Sequence, residues 1–435
     1  MVNTSQSPIS TRLFLLAAFL LLLVPALTAL WSQLRLDRTI EELEDDGQSL
    51  DLESFLPELA SGEPNASETL DAINSLLQQV PSTSNLKTLG ESLQASQPDP
   101  EELQEAARLL ELPHHRLAYQ RLLLDAGIER ARMVALGVST PVLMDRVSYG
   151  LDQRLEILRL ARLLRLRALQ ALHATPSENQ PSQAFEPILL SLRLGSWLEQ
   201  EMPVVANRLL ALGVVDTALD TLEDVLLRVQ PPAAERQALA LALERLVGWS
   251  AGRALAGERA YIHRVSPSMQ PCASNQPPCG IVDRLEAFAF TTWIEPFDSA
   301  ALLKGFERLR QDAEVQPVGR LPVPRPRMSL AFRAQMLLPN ISHSLVKFDE
   351  FQTKLAMAQT ALAWNQWFET HGTTPTSLDE LVPKFLSEPP LDPYREEPLR
   401  LAFDEDGPRL LSAGRNLEDE NGQGDDLVWR LAAAR

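Results

Sequence analysis

Apolar residues recur at helical spacing through most of this chain and at strand spacing only near its end. Residues 151–173, LDQRLEILRLARLLRLRALQALH, set Leu151, Leu155, Leu158 and Arg162 along one face and Ile157, Leu160, Leu164 and Ala168 along another. The apolar stripe is wide and arginines fill the remainder, which predicts a helix packed inside a bundle. Further helices are predicted near residues 68–80, 184–201, 204–212, 216–230 and 233–247, punctuated by Pro203, Gly213, Pro231 and Pro232. Such alternation with short connections predicts an irregular bundle or an α-hairpin array over residues 101–264. No repeat near the ~34 or ~40 residues of common helical arrays runs through it.

The longest apolar run is residues 13–31, LFLLAAFLLLLVPALTALW, 19 residues without a charge. At about 1.5 Å per residue they nearly cross a hydrocarbon core of about 30 Å. Pro25 is tolerable in a bilayer, and Trp31 sits where an interfacial aromatic belongs. A cleaved signal peptide is the alternative. The run exceeds the usual apolar core of about 7–15 residues, and a cut after Ala29 puts Leu27 at the −3 position, so an uncleaved anchor is favoured. The expectation is a tail at residues 1–12, a single span through the inner membrane at 13–31, and the bulk of the chain extracytoplasmic. Arg12 precedes the run while Arg35 and Arg38 follow it, so charge alone does not orient it.

Net charge is −18 over 435 residues. Residues 37–107 carry 17 acidic side chains against Arg38 and Lys87, which accounts for most of it. With Gly62, Pro64, Pro81, Pro98 and Pro100, residues 32–100 read as an acidic stalk. The overall balance argues against duplex nucleic acid as a partner. Residues 265–342 hold ten prolines and read as irregular, wrapping structure with one helix near 299–312. The two cysteines, Cys272 and Cys279, lie there in PCASNQPPCG. They either close a small ring in an oxidising compartment or remain free thiols, and their spacing fits neither C-x-x-C nor a zinc module.

From residue 343 the pattern changes again. A helix over residues 345–369 carries Leu345, Phe348, Phe351, Leu355, Leu362 and Trp367. Ser377, with Glu380 three residues on, predicts a capped helix start. Residues 398–403, 409–412 and 427–431 read as strands, the first two joined by the turn DEDGP. A long helix on a small antiparallel sheet is the natural assembly.

The order of pieces here resembles the globular domain of the major pseudopilin of type II secretion systems. The matching positions are His371, Gly372, Pro375, Leu378, Leu381, Val382, Pro383, Pro390, Asp392, Pro393, Tyr394, Pro398, Leu399, Ser412, Gly414 and the loop 422–426. The preceding helical region, with GERA at residues 257–260, is similar to large membrane-anchored bacterial proteins of planctomycete type that end in this module. The chain departs from a prepilin: residues 1–31 show no Gly cleavage site and no Phe-Thr-Leu-x-Glu-like helix start.

The resemblance implies calcium as a cofactor in the Gly/Asp-rich loop, held by Asn416, Asp419, Asn421, Asp425 and Asp426. Calcium takes six to eight oxygens on a sharply turning backbone, and Gly422 and Gly424 supply the turns. It also implies a secretion-system or other envelope protein as partner.

Catalytic signatures are weak. Gly248-Trp249-Ser250-Ala251-Gly252 matches G-x-S-x-G, but the preceding residues have helical rather than strand periodicity, so a serine hydrolase at Ser250 is the lesser alternative. His114 and His115 are adjacent and diverge on a helix, and the other histidines are scattered. The chain therefore reads as mainly α, with an N-terminal transmembrane helix and a C-terminal α+β module at 343–435. Its expected role is that of a non-enzymatic membrane-anchored scaffold or interaction protein; an orphan structural protein without metal is a further alternative.

Overall fold

In a computed structural model describing residues 8–59, 62–80, 86–95, 98–132, 140–173, 180–265, 290–315, 331–405 and 407–433, three long helices meet at the centre. They are α6 (Thr140–His173), α7 (Gln180–Glu201) and α8 (Val205–Leu226), each packed on the other two. Ile157, Leu164, Trp197, Leu198, Leu219 and Leu222 are buried between them. The expected break at Gly213 is absent, and α8 runs through it. A Cβ there would lie 3.3 Å from Leu158 Cδ2, so glycine serves the approach of α6 rather than ending a helix. Arg154 on α6 forms a buried fork with Glu201 on α7, Nε to Oε2 at 2.9 Å and Nη2 to Oε1 at 2.5 Å.

The acidic segment is folded onto this centre and is not a free stalk. It contains α2 (Ala66–Leu77) and α3 (Leu86–Ser92), and Leu70, Ile73, Leu77, Leu86 and Leu89 are buried in the main core. Asn65 caps α2 by accepting from Ser67 N at 3.1 Å, and the same oxygen accepts from Arg132 N at 2.9 Å. The helices α4 (Pro100–Leu110) and α5 (Pro113–Asp125) complete this side, with Thr69 donating to Asp125 at 2.6 Å. A charge count cannot see this, because the acids lie outside while leucines at helical spacing turn inward.

The expected membrane anchor requires correction. Among the described residues no helix is long and apolar enough to cross a membrane, which overturns the single-pass inner-membrane placement and the bilayer contact through residues 13–31. The helix α1 spans Pro8–Asp45 and does not stop at Trp31. It continues through Arg35, Asp37, Arg38, Glu41 and Glu42 and packs on α11 (Glu295–Val315). Trp31 lies 4.7 Å from Phe297 between ring centroids, Ser32 and Thr39 are buried, and Lys304 donates to Glu42 at 2.7 Å.

Helices α9 (Ala233–Glu244), α10 (Ala251–Val265) and α12 (Phe332–Ser344) surround the centre; α10 packs on α11, and α11 on α12. The residues Gly257, Glu258, Arg259 and Ala260 on α10 join several elements. A Cβ on Gly257 would sit 1.9 Å from Pro203 O, so only glycine allows this approach. Glu258 Oε2 accepts from Val205 N at 2.7 Å at the start of α8. Arg259 is fully buried, pairs with Glu307 and donates to Gln48 Oε1 at 3.2 Å. Cys272 and Cys279 lie outside the described residues, as do most of the prolines read as a wrapping segment.

The C-terminal module follows the predicted order. Its helix α13 (Val346–His371) ends at Gly372, whose φ of 69° gives the left-handed cap. A single-turn helix at Leu378–Leu381 follows, but Ser377 makes no side-chain cap; Thr376 N donates to Glu380 Oε1 at 3.0 Å instead. A short ladder pairs β1 (Leu391–Asp392) with β2 (Glu397–Pro398). The main sheet is an antiparallel meander of β3 (Arg400–Asp404), β4 (Gly407–Ser412) and β5 (Leu427–Arg430), with Leu401 opposite Leu410 and Leu410 opposite Trp429.

Candidate functional site

The loop between β4 and β5 is built from carboxylates that accept the loop's own backbone N–H groups. Asp392, 3% exposed, anchors its start: Oδ2 accepts from Ala413 N at 3.1 Å while Oδ1 accepts from Tyr394 N at 3.0 Å. The P-x-D-P and S-x-G pieces of the sequence thus meet through one side chain. Gly414, at φ 59°, is forced by the approach of Asp425 O, which a Cβ would meet at 1.9 Å.

The five residues expected to hold calcium fall in this one loop and are engaged differently. Asn416 Oδ1 accepts from Glu418 N at 2.9 Å, and its Nδ2 donates to Glu420 Oε2 at 3.0 Å. Asp419 Oδ1 accepts from Asn421 N at 3.0 Å. Arg400 Nη2, from β3, donates to Asp419 Oδ1 at 2.8 Å and to Asn421 Oδ1 at 3.0 Å. Asp425 donates its N–H to Glu420 Oε2 at 2.9 Å. Asp426 Oδ2 accepts from Glu420 N at 2.9 Å and Gly422 N at 2.7 Å, while its Oδ1 is buried without a hydrogen-bond partner.

Arg400 is thus the cation that Asp419 and Asn421 meet in this structure, in the loop where the resemblance implied a metal. Calcium needs about six to eight oxygens converging on one point. Among the described residues no group of three or more His, Cys, Asp or Glu side chains is placed to hold a metal. Asp426 Oδ1 is the buried loop oxygen without a partner among the described residues, and the Asp425 carboxylate is exposed. Arg400 and Glu420, which organise the loop, were legible only as an arginine on a strand and one acid among several.

Ser250 sits before α10, and its Oγ accepts from Arg253 N at 3.2 Å as a helix cap. The helix α9 and a turn precede it, so the strand–elbow–helix geometry of a nucleophilic serine is absent at this position. Among the described residues no histidine or carboxylate hydrogen-bonds it. His115 is buried, its Nδ1 lies 2.7 Å from Leu109 O, and burial lowers its pKa. His371 stacks on Trp367 at 3.9 Å as part of the end of α13. No family model matches this chain, and comparison with curated proteins and with solved structures likewise gives no match.

Proposed function

We propose that this chain is a non-enzymatic scaffold or interaction protein whose C-terminal module engages secretion-type or pilus-type machinery. The supporting observation is the assembly of α13 on the antiparallel meander β3-β4-β5, with the Gly/Asp-rich loop entering the last strand. That is the arrangement implied by the pseudopilin resemblance. The middle strand is β4; one edge strand, β5, packs on α13 and reaches Glu223 of the helical body, and the other, β3, carries Phe403, 56% exposed. An outer strand with an exposed aromatic is where an extended partner segment adds to a sheet.

Calcium belongs to the same proposal. Asp425 and Asp426 offer acceptors for it, Asp426 Oδ1 being buried without a partner, and Arg400 opposes it by holding Asp419 and Asn421.

The test places a photocrosslinking side chain at Phe403, with a control at exposed Glu101 on α4, in the full chain within its native cells. Crosslinks from position 403 to a pilin-like or secretion-system subunit, absent from position 101, are expected. Identical products from both positions, or none from 403, overturn the reading.

A further inference from the structure

Five arginines from separate stretches line one cleft beside α7: Arg130, Arg193, Arg208, Arg245 and Arg253. With only Glu129 and Glu199 as acidic lining, they border a space of about 470 Å³, within the roughly 300–1,000 Å³ of small-ligand sites. Three have partners. Arg208 Nη2 lies 3.1 Å from Glu199, Arg245 Nη2 3.2 Å from Glu129, and Arg130 Nη1 donates to Glu58 O at 2.6 Å.

The guanidiniums of Arg193 and Arg253 have no hydrogen bond or ion pair with any described residue. Arg193 lies in the field of Arg245, with Glu129 opposing it, and Arg253 lies beside Arg208. Burial pushes Arg193 and Arg208 below the usual arginine range; Arg245 adds to this at Arg193 and Arg253 at Arg208, against the opposing carboxylates of Glu129 and Glu199. Arg208 is 2% exposed, and its Nε has no hydrogen-bond partner. Unbalanced like charges with an unpaired buried donor are the conditions a bound anion relieves.

The cleft continues into a second space. Arg193, Ser196 and Arg245 also border a groove of about 340 Å³ between α7 and α9. Its other walls are apolar, chiefly Leu189, Leu192, Leu241 and Leu246, and Leu241 is 51% exposed. A cationic pocket opening onto an apolar trough matches a ligand that is charged at one end only.

We propose that cleft and groove together bind a single-chain anionic amphiphile, its phosphate or carboxylate head among Arg193, Arg208 and Arg253 and its alkyl chain along α7 and α9. Guanidinium forks fit both heads. Each methylene laid in the groove raises affinity by about fourfold if fully buried, so the chain, not the head, sets most of the binding. This inference does not depend on the role of the C-terminal module.

Calorimetric titration of the full chain tests it with dodecanoate, dodecyl phosphate, inorganic phosphate and dodecyltrimethylammonium, each below its micelle-forming concentration. At least one anionic amphiphile is expected to bind about tenfold or more tighter than inorganic phosphate, and the cationic one not at all. Whichever anion binds tighter identifies the head. Arg193→Gln and Arg253→Gln are each expected to weaken that binding about tenfold, and Arg253 is exposed, so its loss leaves the fold intact. Leu241→Asn weakens only the chain-bearing ligands. Absence of saturable binding by both anionic amphiphiles, equal binding of the cationic one, equal affinity for inorganic phosphate, or no effect of either arginine variant overturns the proposal.

Discussion

Arg430, on the last strand, is clamped to Glu223 on α8: its Nε donates to Glu223 Oε1 at 2.7 Å and its backbone N–H donates to the same oxygen at 3.0 Å. The pair joins residues 207 positions apart and ties the C-terminal sheet to the helical body. Arg430 Nη2 reaches Asp224 Oδ1 at 3.1 Å, and Trp364 Nε1 donates to Ala432 O at 3.0 Å beside it. The module is thus fastened to the body, not tethered to it.

Arg430→Ala should loosen this clamp. Burial holds the Glu223 carboxyl above the usual carboxylate range, and the Arg430 bonds pull against that rise. Without Arg430 the folded-state pKa rises further while the unfolded value is unchanged. The variant's deficit is therefore smallest at low pH, where Glu223 is protonated in both states, and grows as pH rises through the folded pKa. A loss of about 1–3 kcal/mol at pH 8, smaller at pH 5, is expected. Urea unfolding at both pH values measures it, and equal losses would remove Glu223 from the account.

Lys354→Met addresses the neighbouring contact. Lys354 Nζ lies 2.6 Å from Asp216 and 2.8 Å from Asp220, so α13 meets α8 through one cation shared by two acids. Burial raises Asp220, and Lys354 is the main influence lowering it. Removing the ammonium leaves two carboxylates facing each other. Stability should fall by about 1–2 kcal/mol at pH 7 and by less at pH 4, where the raised Asp220 carboxyl takes up a proton. Thermal melts of variant and parent at the two values decide the matter; a pH-independent difference would point to lost packing of the lysine stem.

The helical body and the module were legible in the sequence because wide apolar stripes and turn residues are local signals. Residues 151–173 fall within α6, and the predicted strands 409–412 and 427–431 overlap β4 and β5. What could not be read was how helices meet. The acids of residues 37–107 outweighed apolar residues such as Leu70 and Ile73 in a count of charge, although those residues decide the packing. Only five of the 40 basic residues are lysine, and the structure gives part of the reason. Buried pairs such as Arg154 with Glu201 and Arg333 with Asp298 use the flat fork of arginine, which lysine lacks. The five-arginine cleft draws on stretches separated by up to 123 positions, so no motif announces it. In the β4–β5 loop the resemblance singled out Asn416, Asp419, Asn421, Asp425 and Asp426, while Arg400, which donates to Asp419 and Asn421, lay on a strand outside that pattern.

Calcium and Arg400 should compete. Arg400→Ala frees Asp419 Oδ1 and Asn421 Oδ1 from the guanidinium, so millimolar calcium is expected to raise the melting temperature of this variant more than that of the parent. A ligand at about ten times its Kd adds about 1.4 kcal/mol. Asp426→Asn, which weakens the buried free acceptor, should abolish the gain. Melting curves with and without calcium provide the check. No shift in either the parent or Arg400→Ala would show that the loop's cation is the arginine alone.

Glu258→Gln should change how stability depends on pH. Burial pushes the Glu258 carboxyl up to about 7, against the opposing hydrogen bond from Val205 N. Between its usual value of 4.5 and about 7 the folded protein keeps a proton on this group that the unfolded chain has lost. The stabilisation from Glu258 is therefore complete below about pH 4.5 and disappears as pH rises through about 7. Glutamine keeps an oxygen for Val205 N and never ionises, so its stability should be flat over the same range. The gap between the two proteins should widen in favour of glutamine by about 2–4 kcal/mol from pH 5 to pH 8. Urea unfolding at pH 5, 6.5 and 8 tests this. Parallel profiles would mean that Glu258 is already ionised at pH 5 and that the carboxylate, not the acid, holds the start of α8.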